Sequence, residues 1–264
     1  MTSLKTIQGF SFDLDGTIWA GPRLLPGATD LVTDLRANGV PVVFATNSSQ
    51  KGAGTVAAAL SRLGLAAEPR DVVTALDLTA EEVRETLGPV PLLVLGSDDL
   101  VASMTRVGHE SLPMERWEEA RAVVVGCDPA LDYGRLRAAS RAAASGASLF
   151  AVNLDPRFPV ADGFDPGGGA IAAAVATAAG VRPIVVGKPS PKLFREAVAR
   201  LELPAAAVAM VGDSHDSDVV GGRAAGMFTV WLSTADDSPP AVAPDLIVAD
   251  LPELHRLWRE AVGS

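Results

Sequence analysis

Two short acidic segments carry the residue types best suited to chemistry. Asp13 and Asp15 lie one residue apart in Asp13-Leu14-Asp15-Gly16-Thr17, directly after an apolar run, and Gly212-Asp213 opens a second segment that reaches Asp218. Carboxylates delivered side by side from a buried strand repel one another unless something positive sits between them, and a divalent cation offsets that repulsion. Oxygen donors without a cysteine set or paired histidines suit a hard ion, magnesium rather than zinc. Thr46-Asn47 and Lys188, each following its own apolar run, add a hydroxyl, an amide and an ammonium. A carboxylate nucleophile, a cation to neutralise oxygen charge and donors to hold the moving group are what phosphoryl transfer needs.

These groups can act together only if strands deliver them to one edge. Residues 7–12 form an apolar run of strand length, which puts Asp13 at its C-terminal end. Residues 31–37 have helical spacing and stop at Asn38-Gly39; 40–45 read as a strand, 51–63 as a helix and 72–75 as a short strand. Strand, helix, strand implies a parallel sheet with right-handed crossovers. Runs at 92–95, 122–125 and 148–152, with helical candidates at 98–107 and 133–145, make a small α/β module of their own. Helices at 191–201 and 216–225 and strands at 207–211 and 229–232 then resume the first pattern, and parallel pairing of 207–211 would bring Asp213 beside Asp13. Residues 184–186 read as the run that precedes Lys188, and 234–244 as a Pro- and Asp-rich loop. The expected architecture is an α/β fold: a Rossmann-like parallel sheet core, residues 1–80 plus 183–264, with a smaller α/β domain inserted at 81–182.

The 264 residues carry a formal net charge of -10, and no run of Lys or Arg reverses it locally. That field disfavours nucleic acid polymers and anionic membranes as partners. The single cysteine, Cys127, excludes an intramolecular disulfide and a cysteine-built zinc cluster, and fits a reducing compartment. The first residues lack the apolar core of a secretory signal, and the Ala-rich stretch 167–181 is too short to span a bilayer and reads as a packed helix. A cytoplasmic enzyme is expected.

The four segments, in this order, resemble the haloacid dehalogenase superfamily, and within it the NagD-like phosphatases that carry an inserted cap of type IIA. The resemblance covers nearly the whole chain. It includes Leu25-Pro26-Gly27-Ala28, Thr46-Asn47-Ser48-Ser49, Val125-Gly126-Cys127-Asp128, Asn153-Leu154-Asp155 and Pro166-Gly167-Gly168-Gly169. It implies that Asp13 is the nucleophile and forms an aspartyl-phosphate, with Asp15 as general acid and then base. It further implies phosphate binding by Thr46, Asn47 and Lys188. Mg2+ would be held by Asp13, the backbone carbonyl of Asp15 and Asp213, with Asp218 supporting either the metal shell or the Lys188 ammonium. Only about thirty residues separate Asp15 from Thr46 but about 140 separate Thr46 from Lys188, so the cap belongs in the second gap.

By the same resemblance the cap loop 153–160 contacts the part of the substrate that is not phosphate, which nominates Asn153, Asp155, Arg157 and Phe158 for specificity. Phe158 stands where a relative acting on pyridoxal phosphate has His, which disfavours that substrate, and Ser48 replaces a frequent Asn. The expected function is hydrolysis of a small phosphorylated metabolite: a sugar phosphate, glycerol phosphate, phosphoglycolate or nucleoside monophosphate. A phosphomutase and a phospho-accepting signalling module are the alternatives, and the cap is a candidate homodimer surface. Trp19 either lines the entrance to the site or packs the loop, His215 invites a catalytic role at a position where the family varies, and Cys127 reads as a small buried hydrophobe.

Overall fold

Phe10 and Phe12, two residues apart and so on one face of a strand, are fully buried and stack with 5.7 Å between ring centroids. They belong to β1 (Gly9–Phe12). In the computed structural model, which describes residues 3–160, 163–233 and 242–263, β1 is followed by a hairpin of β2 (Trp19–Ala20) and β3 (Arg23–Leu24). Helix α1 (Ala28–Ala37) buries Leu31, Val32 and Leu35, one apolar stripe, and ends at Asn38. Strand β4 (Val42–Thr46), helix α2 (Ala53–Arg62) and strand β5 (Val72–Thr74) complete the first part of the chain.

Next come α3 (Ala75–Leu87), β6 (Pro91–Leu95), α4 (Asp98–Arg106), β7 (Glu110–Ser111), β8 (Ala122–Val125), α5 (Tyr133–Ala144) and β9 (Ser148–Ala151). An antiparallel hairpin of β10 (Arg157–Val160) and β11 (Gly163–Pro166) leads into α6 (Gly168–Ala179) and β12 (Ile184–Val185). The chain closes with α7 (Pro191–Leu201), β13 (Val208–Gly212), α8 (Val220–Ala224), β14 (Phe228–Leu232), β15 (Leu246–Val248) and α9 (Leu251–Val262).

Two compact units result. The first, residues 1–46, 56–73 and 188–264, holds a six-stranded sheet in the order β15-β14-β13-β1-β4-β5, in which β1 pairs in parallel with both neighbours. The second, residues 47–55 and 74–187, holds a five-stranded sheet in the order β12-β9-β8-β6-β7. Alternate residues of its strands, Leu93 and Leu95, Val123 and Val125, Leu149 and Ala151, face one layer and pack on Ala138, Ala139, Ala142 and Ala143 of α5 and Ile171, Ala172 and Val175 of α6. Alanines on the helices let the helix backbones approach the sheet closely, which is why a stretch so poor in large side chains still folds as a packed helix.

The division differs from the expected one at both edges. The 80/81 boundary falls inside α3, whose Leu76, Thr79, Ala80 and Val83 are buried at helical spacing. At the other edge, Ile184–Val185 pairs in parallel with Phe150 and Ala151, so this strand belongs to the second sheet and the crossing comes just before Lys188. The expected loop at 234–244 lies largely outside the described residues.

The segment 47–55 is bound to the rest of its unit by polar contacts. Asp77 accepts from the Ala53 N–H at 2.8 Å, the Thr74 hydroxyl at 2.7 Å, the Ser103 hydroxyl at 2.9 Å and the Arg106 guanidinium at 2.7 Å. Asp99 accepts from the Gly52 N–H at 2.9 Å, and the Ser97 hydroxyl donates to the Gln50 carbonyl at 2.7 Å. Burial works to raise the Asp77 carboxyl, but the hydrogen bonds from Arg106, Thr74, Ala53 and Ser103 outweigh it and hold it below its ordinary 3.8. Asp77→Asn is expected to destabilise the protein by about 2 kcal/mol in chemical denaturation. Because the folded value is depressed, this contribution is complete above the unfolded value near 3.8 and is lost as pH falls through the folded one. The gap between wild type and variant should therefore stay constant at neutral pH and close only in strong acid; a gap unchanged across that range would refute an ionic role.

Candidate active site

The register of three strands assembles the site. Phe12 pairs with Val211 on one side and Phe44 on the other, and the Asp13 N–H extends the ladder by donating to the Val211 carbonyl at 2.8 Å. Asp13 therefore leaves the sheet beside Gly212 and Ala45, with Asp213 and Thr46 one residue further along each neighbour. Parallel strands present their C-terminal ends at a common edge, where an open α/β sheet places its ligands.

Lys188 ties these ends together. Its ammonium donates to Asp13 Oδ1, to Asp218 Oδ1 at 2.7 Å and to the Ala45 carbonyl at 3.1 Å, and the residue is only 4% exposed. Burial alone would push the ammonium down, but the charges of Asp13 and Asp218 outweigh it and hold Lys188 above its ordinary value. Asp218 reaches it from a five-residue π turn, His215–Val219, in which the Asp218 N–H bonds the Ser214 carbonyl at 2.8 Å and its Oδ2 accepts from the Ser214 N–H at 3.2 Å. The sequence had suggested one helix over 216–225. The wider turn, followed by the short α8, folds the Asp218 carboxylate back toward the strand ends, a use of π turns that recurs at functional sites.

Carboxylate oxygens of Asp13, Asp213 and Asp218 come within 4.8 Å of one another. Two glycines permit this. Gly16 has φ +88°, and a Cβ there would lie 2.1 Å from an Asp213 carboxylate oxygen; a Cβ at Gly212 would lie 2.1 Å from one of Asp218. Crowding shows in the titration of Asp213, which the atoms packed around it and the neighbouring Asp13 charge push up to about 6. Burial likewise pushes Asp218 up, against the pull of Lys188. Three carboxylates against one ammonium leave an excess of negative charge, and an all-oxygen donor set fits a hard divalent cation.

Asp15 stands apart from this cluster. Its residue is exposed, its Oδ1 accepts from the Trp19 indole N–H at 2.8 Å, and among the described residues it adds no carboxylate to the three. The part toward a metal that the family resemblance implies for Asp15 is through its backbone carbonyl, which a side-chain cluster does not include. The Asp213 backbone is itself held, since the Trp231 indole donates to its carbonyl at 2.9 Å. Neither tryptophan contact was readable from the sequence, because each depends on a ring meeting a residue across a turn or a sheet edge.

The other nominated residues separate. Thr46 is buried at the end of β4. Asn47 opens the second unit, and its amide donates to Asp155 at 3.3 Å. Asn153 is buried with both ends of its amide engaged: Nδ2 donates to the Asn47 carbonyl at 2.7 Å and Oδ1 accepts from the Asp155 N–H at 3.1 Å. Arg157 is exposed and lies over the Phe164 ring at 5.1 Å, while Phe158 is half-buried. His215 has both ring nitrogens engaged, one with the Val242 carbonyl at 2.8 Å and one with Asp216 at 2.9 Å, and its ring edge meets Trp231. It braces the turn. Cys127 is buried, takes a contact from the Gln50 amide at 2.9 Å, and has its thiol pushed up by burial, which leaves it a packed group rather than a nucleophile.

Residues 10–110 match the family of haloacid dehalogenase-like hydrolases and residues 185–254 a second HAD-hydrolase-like family. An acid sugar phosphatase of Staphylococcus saprophyticus is 33% identical over 231 residues, 88% of each chain. Among solved structures, a glycerol phosphate phosphatase from Mycobacterium tuberculosis in complex with magnesium is 33% identical with a TM-score of 0.87, over 97% of this chain and 79% of that one. NagD from E. coli K-12 is 25% identical with a TM-score of 0.84, over 94% and 98%. Among the described residues no helix is long and apolar enough to cross a membrane. The strand-end acidic cluster, its buried lysine and these relatives together make the chain a member of the haloacid dehalogenase-like hydrolases, in the NagD-like branch of type IIA, and a phosphoric monoester hydrolase.

Proposed function

We propose that the chain is a magnesium-dependent phosphatase of a small phosphorylated metabolite that turns over through an aspartyl-phosphate on Asp13. The observation that carries this reading is the Lys188 ammonium, which bridges Asp13 and Asp218 at the edge where Asp213 also converges. An oxygen of Asp13 attacks phosphorus, and the bond to the leaving oxygen breaks as Asp15 delivers a proton to it. Asp15 then takes a proton from water, whose oxygen attacks the same phosphorus and releases Asp13 and inorganic phosphate. Lys188 orients the attacking carboxylate, while the Thr46 hydroxyl, Lys188 and Asn47 bind phosphoryl oxygens.

Asp13, Asp213 and the backbone carbonyl of Asp15 would hold Mg2+, supported by Asp218. When bound, the ion supplies positive charge against the phosphoryl oxygens. The second unit is the cap in this reading, so the cap comprises 47–55 and 74–187 rather than 81–182. Within its loop, the exposed Asp155 and Arg157 are favoured for specificity over the buried Asn153. A sugar or polyol phosphate is the favoured substrate class, in keeping with the named activities of the relatives. We assign the enzyme to the cytoplasm on its cysteine usage, and to the cap a homodimer contact that sedimentation would measure.

Phosphate release from a panel of sugar, polyol and nucleoside phosphates, with magnesium and with excess chelator, tests the proposal. Release is expected from at least one ester with magnesium, falling at least about 100-fold with chelator and returning on magnesium addition. Isomer formation without free phosphate would favour a phosphomutase, and a long-lived phospho-Asp13 without turnover a signalling module.

A further inference from the structure

Residues 14–19 close tightly on themselves. The Thr17, Ile18 and Trp19 N–H groups all point at the Leu14 carbonyl, at 3.2, 2.9 and 3.0 Å, and the Gly16 N–H donates to the Trp19 carbonyl at 2.8 Å. Asp15 and Trp19 thereby form a β-bridge, and Trp19 continues into the β2–β3 hairpin, where it pairs with Leu24. Trp19 is only 7% exposed, so its side chain is held by packing, and the indole N–H donates to Asp15 Oδ1 at 2.8 Å.

We propose that Trp19 is the positioning residue for the acid–base carboxyl of Asp15, fixing which of its two oxygens carries the transferred proton. An indole N–H donates and cannot accept. Oδ1 therefore remains an acceptor whether Asp15 is charged or neutral, and the proton that Asp15 gives to the leaving oxygen, and later takes from water, resides on Oδ2. A carboxyl with one oxygen pinned and a short backbone loop beneath it presents the other in a narrow range of directions, which is what efficient proton transfer needs. Trp19 touches neither phosphorus nor leaving group in this scheme and acts through Asp15. The inference rests on the acid–base role proposed for Asp15.

The test separates proton delivery from packing by changing the leaving group. Glycerol 3-phosphate departs as an alkoxide that must be protonated, whereas p-nitrophenyl phosphate departs as a stable phenolate that needs no proton. kcat/KM reports the steps up to aspartyl-phosphate formation, so later hydrolysis does not enter. Trp19→Phe, which keeps the ring and removes the donor, is expected to lower kcat/KM at least about 10-fold on glycerol 3-phosphate and less than about 2-fold on p-nitrophenyl phosphate. The ratio of the two values on one preparation is unaffected by any inactive fraction, so partial misfolding cannot imitate the result. Equal losses on both esters, or none on either, overturn the proposal. Asp15→Asn run alongside tests the reading beneath it: if that variant leaves the ratio of the two esters unchanged, the acid role of Asp15 fails, independently of Trp19.

Discussion

Asp13→Asn is expected to abolish turnover, with kcat at least about 10⁴-fold below wild type for every ester the enzyme accepts. The amide keeps the shape of the carboxylate but is a poor nucleophile, so no aspartyl-phosphate forms. The fold should survive, because Lys188 retains Asp218 and the Ala45 carbonyl as acceptors and the crowded cluster loses one negative charge. Kinetics combined with thermal unfolding check both halves of the expectation. Substantial activity in a well-folded Asp13→Asn sample would remove Asp13 as the attacking group and with it the covalent route.

Lys188→Met is expected to damage stability and activity together. The ammonium is the buried positive charge that bridges Asp13 and Asp218, and deleting it leaves two carboxylates and a strand-end carbonyl without that partner. Removing one member of a buried ion pair costs about 3–5 kcal/mol, far more than the net worth of an exposed pair. A fall of that size in chemical denaturation, with a loss in kcat of about 100-fold or more, is the expected outcome. Lys188→Arg should not restore either, since a planar guanidinium cannot aim compactly at three acceptors around a point. Near wild-type stability in Lys188→Met would show that the ammonium is dispensable to the cluster.

The sheet edge was legible in the sequence because each strand that builds it is a largely apolar run, broken in β1 only by Ser11, that ends in a polar residue. Phe10 to Asp13, Val42 to Thr46 and Val208 to Asp213 announce both the buried ladder and the place where it stops. Helix α3 was harder to see. Its start is marked by Thr74 and Asp77, with the Asp77 N–H donating to the Thr74 hydroxyl at 3.0 Å, but three apolar residues out of the first four read equally well as the tail of β5. The strand at Ile184–Val185 was recognised as a strand and assigned to the wrong sheet, since pairing partners leave no mark on a two-residue run.

Contacts made by side chains across turns were the least legible part of the site. Trp19 was left between lining the entrance and packing the loop, and its bond to Asp15 spans only four residues, yet depends on Gly16 adopting a positive φ so that the turn closes. Asn153 was nominated for substrate contact on the strength of its loop; its burial and its bond to the Asn47 carbonyl are long-range facts that spacing does not encode.

The chain passes between its two units four times, after 46, 55, 73 and 187, and the nine-residue piece 47–55 is stitched to the second unit through Asp77, Asp99 and Ser97. An engineer who grafts substrate preference from one relative to another by exchanging only the long insertion would sever those stitches and leave mismatched halves. The exchangeable cassette consists of two stretches that must travel as a set.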